Sequence, residues 1–408
     1  MVDKNLFLYD LAIVAILKDE APYLREWLDY HLAAGVEHFY LYDNESSDNQ
    51  AEVAAPYVDV GLVDYFIAPG ELMQMAVYND AANKFRFVCR SMAFIDSDEF
   101  LYPKSNRSVA EVIDEIFALD SKAAGVSVNW QLYGSNGQET ADLSRGVLER
   151  FTRRAPSDWN PDGLGNGHVK TISNPRKINF VHNAHCARYF MNRYSINENG
   201  KPIPGEKIHA FNDPVTVEKI ALHHYYCKSR EEFIKKIRRG RCDNPTNNYK
   251  MAMFDACDHN EIFDDGILRY RAARAKNFAL ETDDDRIIRV INALTATLPT
   301  ISDMETALTC RAVSSYLRDK LHDDRFSICE ETALDAALKS LSDCTYADAQ
   351  MFIRDLPALL NLPYPAVADV RRAAQNIIPQ FLKVLKHNVR WADYAEYNFI
   401  LNMLKIGG

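Results

Sequence analysis

The segment MAFIDSDEFLYP, residues 92–103, places three carboxylates directly after an apolar run. Side chains two positions apart on an extended strand point to the same side, so the pattern predicts that Asp96 and Asp98 converge. Two convergent carboxylates repel each other unless a positive group lies between them. A hard divalent cation, Mg²⁺ or Mn²⁺, takes oxygen ligands and brings substrate phosphates with it. The alternative is a polar turn that merely follows a core strand.

A second group of candidate residues lies in ALHHYYCKSREEFIKKIRRGRCDN, residues 221–244. Ser229 and Glu232 fit a capping box that begins a helix, and Gly240 is placed to end it. A histidine can complete a metal shell begun by carboxylates, and basic side chains can bind a diphosphate as it leaves. A solvated basic helix face with a packed histidine is the alternative. The basic residues are His223, His224, Lys228, Lys235, Lys236, Arg238, Arg239 and Arg241.

The elements that must position these residues alternate between strands and helices. Apolar runs predict strands at 11–17, 36–42 and 60–67, and another before Asp96, with helices between them at 23–34, 49–57 and 72–84. This alternation predicts βαβ units and a mostly parallel sheet, with ligands bound at the carboxyl ends of its strands. Polar residues follow the first two strands, among them Glu20 and Asp43. Asp43 could bind a base or ribose, or could simply cap its own loop.

The chain of 408 residues is long enough for two domains, and we expect an α/β domain over 1–255 and an all-helical domain over 256–408. The net charge of −10 argues against a nucleic-acid binder. No run of eighteen apolar residues predicts a membrane span, and the N-terminus lacks the pattern of a signal peptide. Eight scattered cysteines without a CxxC pair indicate neither a zinc cluster nor a disulfide framework, which favours a reducing cytoplasm.

Several segments together resemble a glycosyltransferase of the family 92 and family 2-like group, which has the GT-A fold. The resemblance covers about residues 11–245 in family order, and no single motif is specific alone. The segments are AILKDEAPYLREWLDYHLAAGVEHFYLYDNESSD, AVYNDAANKF, MAFIDSDEFLYP, VNWQLYGSNG and HHYYCKSREEFIKKIRRGRCD. The resemblance implies transfer of a sugar from a nucleotide-diphosphate donor, with a UDP-sugar expected, and dependence on Mn²⁺ or Mg²⁺.

The same resemblance implies a role for individual residues. Asp43 would contact the nucleoside, and Asp96 and Asp98 match the DxD pair, with Asp98 the direct metal ligand. His224 matches a late histidine that completes the metal site. Lys228 and either Arg239 or Arg241 would face the diphosphate. The donor-binding candidates are Asp43, Glu20, Asp96, Lys228, Arg239 and Arg241, and the metal candidates are Asp96, Asp98 and His224.

Enzymes of this kind usually invert the anomeric centre, which needs a carboxylate base to take the proton of the acceptor hydroxyl. The order of motifs leaves two candidates, Glu139 in NWQLYGSNGQET and Asp158 in APSDWNPDG, and either can be an ordinary loop carboxylate. Trp130 and Trp159 could stack on an acceptor sugar, although a core role is commoner for tryptophan.

Two rival functions remain open. A nucleotidyltransferase that forms nucleotide-sugars would share the carboxylate pair and the metal, but would usually carry a Gly-rich loop where this chain has Lys18-Asp19-Glu20-Ala21-Pro22. The other rival is a non-catalytic scaffold. The expected partners are a nucleotide-sugar donor and a glycan acceptor in surface or capsular polysaccharide synthesis, and no nucleic acid. The C-terminal helices are candidates for peripheral contact with the inner face of the membrane or for homo-oligomer contact.

Overall fold

The computed structural model describes residues 2–161, 165–189, 193–203, 211–241, 249–269 and 282–340. It divides into two compact units. One comprises Tyr9–Leu280, and the other comprises Met1–Leu8 together with Glu281–Gly408. Helical periodicity within the predicted C-terminal domain also predicts helices at 346–360 and 367–387, and these lie outside the described residues.

The larger unit is organised around a ten-stranded sheet. The strands of this unit are β1 Tyr9–Leu17, β2 His38–Asp43, β3 Val63–Ile67, β4 Cys89–Phe94, β5 Glu99–Pro103, β6 Ala123–Leu132, β7 Arg153–Arg154, β8 Val169–Ser173, β9 Ile178–Val181, β10 Ala187–Tyr189, β11 Tyr194–Ile196, β12 Pro202–Ile203, β13 Ile220–His224 and β14 Ile262–Phe263. The main path of the ten-stranded sheet runs in the order β12-β11-β6-β8-β4-β1-β2-β3, and β13 pairs with both β5 and β6. The other four strands form two separate pairs, β9 with β10 and β7 with β14.

Helices of the same unit connect these strands, and their ends follow local signals in the sequence. Proline in the first turn of α1 suits a helix start, and Gly35 follows its end with φ of 91°. Ser229 and Glu232 form the predicted capping box of α6. The helices are α1 Ala21–Ala33, α2 Gln50–Asp59, α3 Gln74–Lys84, α4 Val109–Phe117, α5 Val147–Arg150, α6 Arg230–Arg239 and α7 Met251–Cys257.

The first four strands confirm the predicted α/β architecture with a mostly parallel sheet. β1 pairs in parallel with β2 and β4, and β2 pairs in parallel with β3. Leu17 at the end of β1 lies opposite Asp43 at the end of β2, so both strands deliver their following loops to one edge. β1 is almost wholly buried, as its continuous apolar sequence requires when helices cover both faces.

Two antiparallel strands shape this edge further. β8 lies between β4 and β6 and runs antiparallel to both. β5 returns antiparallel to β13. Asp96, Ser97 and Asp98 therefore lie in the turn between β4 and β5 and not on a continued strand, because the chain reverses there to pair with β13. This corrects the extended geometry on which the predicted convergence of Asp96 and Asp98 rested.

The smaller unit is helical where it is described. Its helices are α8 Asp283–Thr297, α9 Met304–Leu321 and α10 Phe326–Ser340. The guanidinium of Arg289 on α8 donates hydrogen bonds to the carbonyls of Phe7 and Leu8, which ties the N-terminal segment to this unit. None of the helices in the described ranges has the length and apolar character that a membrane span requires.

Candidate active site

Asp96 is held by donors from two other elements. Nζ of Lys170 on β8 lies 2.9 Å from its Oδ2, and Nε2 of Gln74 on α3 donates to its Oδ1 at 3.1 Å. The Asp96 side chain nevertheless stays 37% exposed, whereas that of Lys170 is 1% exposed. Lys170 therefore lies on the protein side of Asp96, and the open side of the carboxylate is left for a ligand.

Asp98 has a different set of neighbours. Nζ of Lys236 on α6 donates to its Oδ2 at 2.7 Å, and Nε2 of His224 lies 3.5 Å from its Oδ1. Burial by itself would raise the pKa of Asp98, but Lys236 and His224 outweigh that effect and hold the pKa well below its usual range. Asp98 is thus an ionised carboxylate with one oxygen facing an imidazole and the other an ammonium.

The register of β13 explains why His224, and not its neighbour, faces Asp98. His224 lies opposite Glu99 on β5 and Leu132 on β6, at the end of the strand. His223 points to the other face, where its ring lies 4.6 Å from that of Tyr102. Burial lowers the pKa of His224 against the opposing pull of Asp98, which favours a neutral imidazole that can bind a metal.

Glu20 contacts two of the basic side chains that were predicted to bind the diphosphate. Its carboxylate forms a short ion pair with the guanidinium of Arg239, which also donates to the carbonyl of Lys18 at 2.9 Å. Nζ of Lys228 lies 3.7 Å from the other carboxylate oxygen and sits over the ring of Tyr23. Burial would raise the pKa of Glu20, but Arg239 and Lys228 lower it overall. The structure thus brings Glu20, Lys228 and Arg239 together at the end of β1.

A buried ion pair fixes α6, which carries Arg239 and directly follows Lys228. Nη1 and Nη2 of Arg150 donate to the carboxylate of Glu232, at 2.9 Å and 2.7 Å, and both side chains are almost fully buried. The hydroxyl of Tyr23 donates to the same carboxylate at 2.8 Å. Through Glu232, α6 is bonded to α5 and to α1. The sequence identified Glu232 only as half of a capping box.

Asp43 lies at the same sheet edge within a hydrogen-bonded loop. Its Oδ1 accepts the backbone N–H of Ser46, as in the capping alternative, and its Oδ2 accepts the hydroxyl of Tyr65 at 3.0 Å. Nε2 of Gln50 donates to that hydroxyl, and Oε1 of Gln50 accepts the backbone N–H of Glu20. This chain of hydrogen bonds connects the predicted nucleoside contact with the group of cations around Glu20.

Arg241, Glu139 and Asp158 complete the set of predicted residues. Arg241 has its guanidinium 4.9 Å from the ring centroid of Tyr249. The Glu139 side chain is 78% exposed, with one oxygen 4.0 Å from Nε of Arg230, and its carbonyl accepts the backbone N–H of Glu231 at the start of α6. Asp158 is exposed on the loop after β7.

Glu99 and Trp130 extend the site in a way that sequence reasoning missed. Nε1 of Trp130 donates to Oε1 of Glu99 at 2.8 Å, and Oε2 of Glu99 accepts the backbone N–H of Asp96. The indole stacks on His168 at 4.4 Å and contacts the ring of His224 at 4.3 Å. Trp130 therefore joins Glu99 to the rings of His168 and His224. Sequence reasoning also missed Lys170, which could have been noticed as the only charged residue in the strand VKTIS.

A family model for glycosyltransferase family 92 matches residues 14–247, which is more than half of the chain and holds every candidate site residue. The chain belongs to glycosyltransferase family 92. The sheet topology confirms the α/β domain with a mostly parallel sheet that the sequence predicted.

Curated relatives match shorter stretches. A family 92 protein of Oryza sativa subsp. japonica is 29% identical over 184 residues, which is 43% of this chain and 30% of that protein. One from Arabidopsis thaliana is 34% identical over 157 residues, 36% of this chain and 27% of that protein. A galactan beta-1,4-galactosyltransferase of A. thaliana is 32% identical over 100 residues, 22% of this chain and 19% of that protein. The chain spans less than a third of the length of each.

Among solved structures, residues 1–349 of TarS from S. aureus match with a TM-score of 0.30 and 14% sequence identity, covering 82% of this chain and 91% of that one.

Asp98 and His224 are two side chains of this chain that fit a metal ion. No group of three or more His, Cys, Asp or Glu side chains within the described ranges is arranged to hold a metal ion. Asp98 and His224 offer one carboxylate oxygen and one imidazole nitrogen 3.5 Å apart, and a cation with bonds of about 2.1 Å can bridge that separation. Nδ1 of His224 is buried without a partner. The two residues fit a cation that takes its other ligands from phosphate and water, as Mg²⁺ commonly does.

Proposed function

We propose that this chain is a metal-dependent, inverting glycosyltransferase that moves a sugar from a nucleotide-diphosphate donor to a hydroxyl of a glycan acceptor. The observation that carries the proposal is the position of Asp98, between His224 and Lys236 at the carboxyl edge of the sheet. Ligands of open α/β sheets bind at this edge. Membership of family 92 supports glycosyl transfer as the reaction class.

In the proposed complex, Asp98 and His224 would hold the cation. When bound, Mn²⁺ or Mg²⁺ would neutralise charge on the diphosphate. Asp96 would offer the exposed side of its carboxylate to the donor, because Lys170 and Gln74 occupy the opposite side. Asp43 would contact the nucleoside from the end of β2.

The diphosphate would lie against Lys228, just before α6, and Arg239, at the end of α6. Lys228 and Arg239 share Glu20, so their positive charges are fixed in place before a ligand arrives. Such preorganised cations stabilise negative charge that grows on a leaving group. Arg241 is a third candidate, close to Tyr249.

The transfer would be a single in-line displacement. The acceptor oxygen forms a bond to the anomeric carbon while the bond between that carbon and the diphosphate oxygen breaks, and the bonding electron pair leaves with the diphosphate. A carboxylate takes the proton of the acceptor hydroxyl. Glu139 and Asp158 remain the two candidates for this base, both on exposed loops.

The galactan beta-1,4-galactosyltransferase among the relatives makes UDP-galactose the first donor to test. The acceptor we propose is a hydroxyl of a surface or capsular polysaccharide, on the basis of the motif resemblance. The titration described next also shows whether the nucleotide carries a base other than uracil.

Calorimetric titration of UDP, GDP and CDP, each with and without Mn²⁺, tests the proposal. Wild type is compared with D98N and with D59N, which changes an exposed aspartate at the end of α2. We expect one nucleotide to bind wild type and D59N in the presence of Mn²⁺ and to lose at least about tenfold in affinity in D98N, since that variant removes a charged ligand. A folded wild type that binds none of the three would overturn the proposal and favour a scaffold.

A further inference from the structure

Lys236 is the one basic residue of α6 that contacts the carboxylate assigned to the cation. Its Nζ lies 2.7 Å from Oδ2 of Asp98, on the side opposite His224. The site thus already holds a positive charge on the carboxylate where a divalent cation would bind. An ammonium and a divalent cation on one carboxylate repel each other, so the two compete for Asp98.

Lys236 also lies beside a backbone carbonyl and two aromatic rings that can bind its ammonium. The carbonyl of Tyr226 accepts from Nζ at 3.2 Å. The same nitrogen lies 4.3 Å from the ring centroid of Tyr226 and 5.0 Å from that of Tyr249. A carbonyl and two aromatic faces can hold an ammonium that has left its carboxylate. Lys236 can therefore give up Asp98 without leaving the site.

We propose that Lys236 is a donor-binding residue that exchanges with the cation on Asp98: it neutralises Asp98 in the empty site and turns to the diphosphate when cation and nucleotide bind together. This inference rests on the proposed function and adds a residue that the motif resemblance did not assign. Its consequence is that the cation binds weakly alone and more tightly with nucleotide, because the diphosphate supplies the negative charge that Lys236 then pairs with.

The exchange predicts effects of opposite sign when the charge of Lys236 is removed. In K236Q, Mn²⁺ should bind the nucleotide-free protein more tightly, because its competitor is gone. UDP in saturating Mn²⁺ should bind less tightly, because a phosphate contact is lost. We expect each change to lie between about fivefold and 150-fold, the usual range of coupling between two ligands. A residue that only supported the fold would not strengthen metal binding.

The neighbouring lysine provides a matched control. Lys235 is exposed on the same helix and pairs with Glu231, so K235Q removes an equal charge without touching Asp98. Mn²⁺ titrations followed by electron paramagnetic resonance compare wild type, K236Q, K236R and K235Q, with D98N as the blank for other acidic sites. K236R keeps the charge and should retain weak binding. K236M replaces K236Q if circular dichroism shows that K236Q does not fold.

The two arms separate failure of the exchange from failure of the proposed function. Tighter Asp98-dependent Mn²⁺ binding in K236Q than in K235Q supports the exchange, and it does so without any nucleotide. Equal or weaker Mn²⁺ binding in K236Q overturns it, even if UDP binds the wild type normally. A folded wild type that binds none of UDP, GDP and CDP overturns the proposed transferase and, with it, the diphosphate contact assigned to Lys236.

Discussion

The ammonium nitrogen of Lys170 lies 2.9 Å from Oδ2 of Asp96 and 3.5 Å from Oε2 of Glu99, within a buried part of the sheet. Burial by itself would lower the pKa of Lys170, but the two carboxylates raise it well above its usual value. Burial raises the pKa of Glu99, and the ammonium of Lys170 opposes that rise. Lys170 therefore places a positive charge between Asp96, in the turn before β5, and Glu99, at the start of β5.

Replacement of this lysine should destabilise the larger unit. In K170M, Asp96 and the buried Glu99 lose the ammonium between them, and loss of a hydrogen bond to a charged group costs about 1–3 kcal/mol of unfolding free energy. Chemical denaturation measures the loss. K219M is the control, because Lys219 pairs with Glu115 at the surface, where an ion pair contributes at most about 1 kcal/mol. K170M/E99Q should recover part of the loss. Equal stability of K170M and K219M would contradict the role of Lys170.

Substitution of the two candidate bases should separate turnover from donor binding. Whichever of Glu139 and Asp158 takes the acceptor proton, its amide variant should lower kcat by about 10²-fold to 10⁴-fold, the usual contribution of general base catalysis. The Kd of the donor nucleotide should stay within about twofold, since neither side chain contacts the cation ligands in the described structure. Steady-state kinetics and calorimetry on E139Q and D158N measure both quantities. Full activity in both variants would exclude this pair.

The buried pair of Arg150 and Glu232 predicts a loss of stability in acid. Burial raises the pKa of Glu232, but Arg150 and Ser229 outweigh it and lower the pKa to about 2 from 4.5. A lowered carboxyl pKa stabilises the fold above the unfolded value, and that stability is lost as pH falls from about 4.5 to about 2. The shift corresponds to about 3 kcal/mol.

Denaturation profiles of wild type and E232Q test this assignment. E232Q should be less stable than wild type at pH 7, and its stability should fall less steeply below pH 4.5, the unfolded pKa. E52Q is the control, because Glu52 is an exposed carboxylate in the first turn of α2. Parallel acid profiles for wild type and E232Q would show that Glu232 does not carry the effect.

His31 predicts a second pH dependence at milder acidity. Its Nε2 accepts the backbone N–H of Leu101, and its Nδ1 lies 2.9 Å from the carbonyl of Trp27. Burial lowers the pKa of His31 to about 3, because the charged imidazolium is poorly solvated there. A proton on Nε2 would also break the bond from Leu101. A folded pKa below the unfolded value of 6.5 means that stability is complete above pH 6.5 and is lost as pH falls toward 3.

Between pH 6.5 and 5, this one group should cost about 2 kcal/mol of unfolding free energy. H31Q cannot titrate, so its unfolding free energy should fall less over the same interval, whatever its stability at pH 7. H259Q is the control, because His259 is partly exposed and pairs with Glu261. A pH slope in H31Q equal to that of wild type would contradict the assignment.

The sequence by itself determined the secondary structure and the reaction class. Continuous apolar runs specify buried strands, and a strand–helix alternation has few ways to pack, so the parallel part of the sheet followed from local patterns. The capping box at Ser229 placed the start of α6 for the same local reason. The motif set around Asp96, Asp98 and His224 identified the family.

Only the tertiary structure decided which charges meet. Lys170 reaches Asp96 because β8 inserts antiparallel between β4 and β6, and Lys236 reaches Asp98 because β13 carries α6 back to the turn before β5. Strand order and register set such pairings between residues far apart in the chain, and no local periodicity specifies them. The turn at Asp96–Asp98 has the same origin, since β5 reverses direction in order to pair with β13.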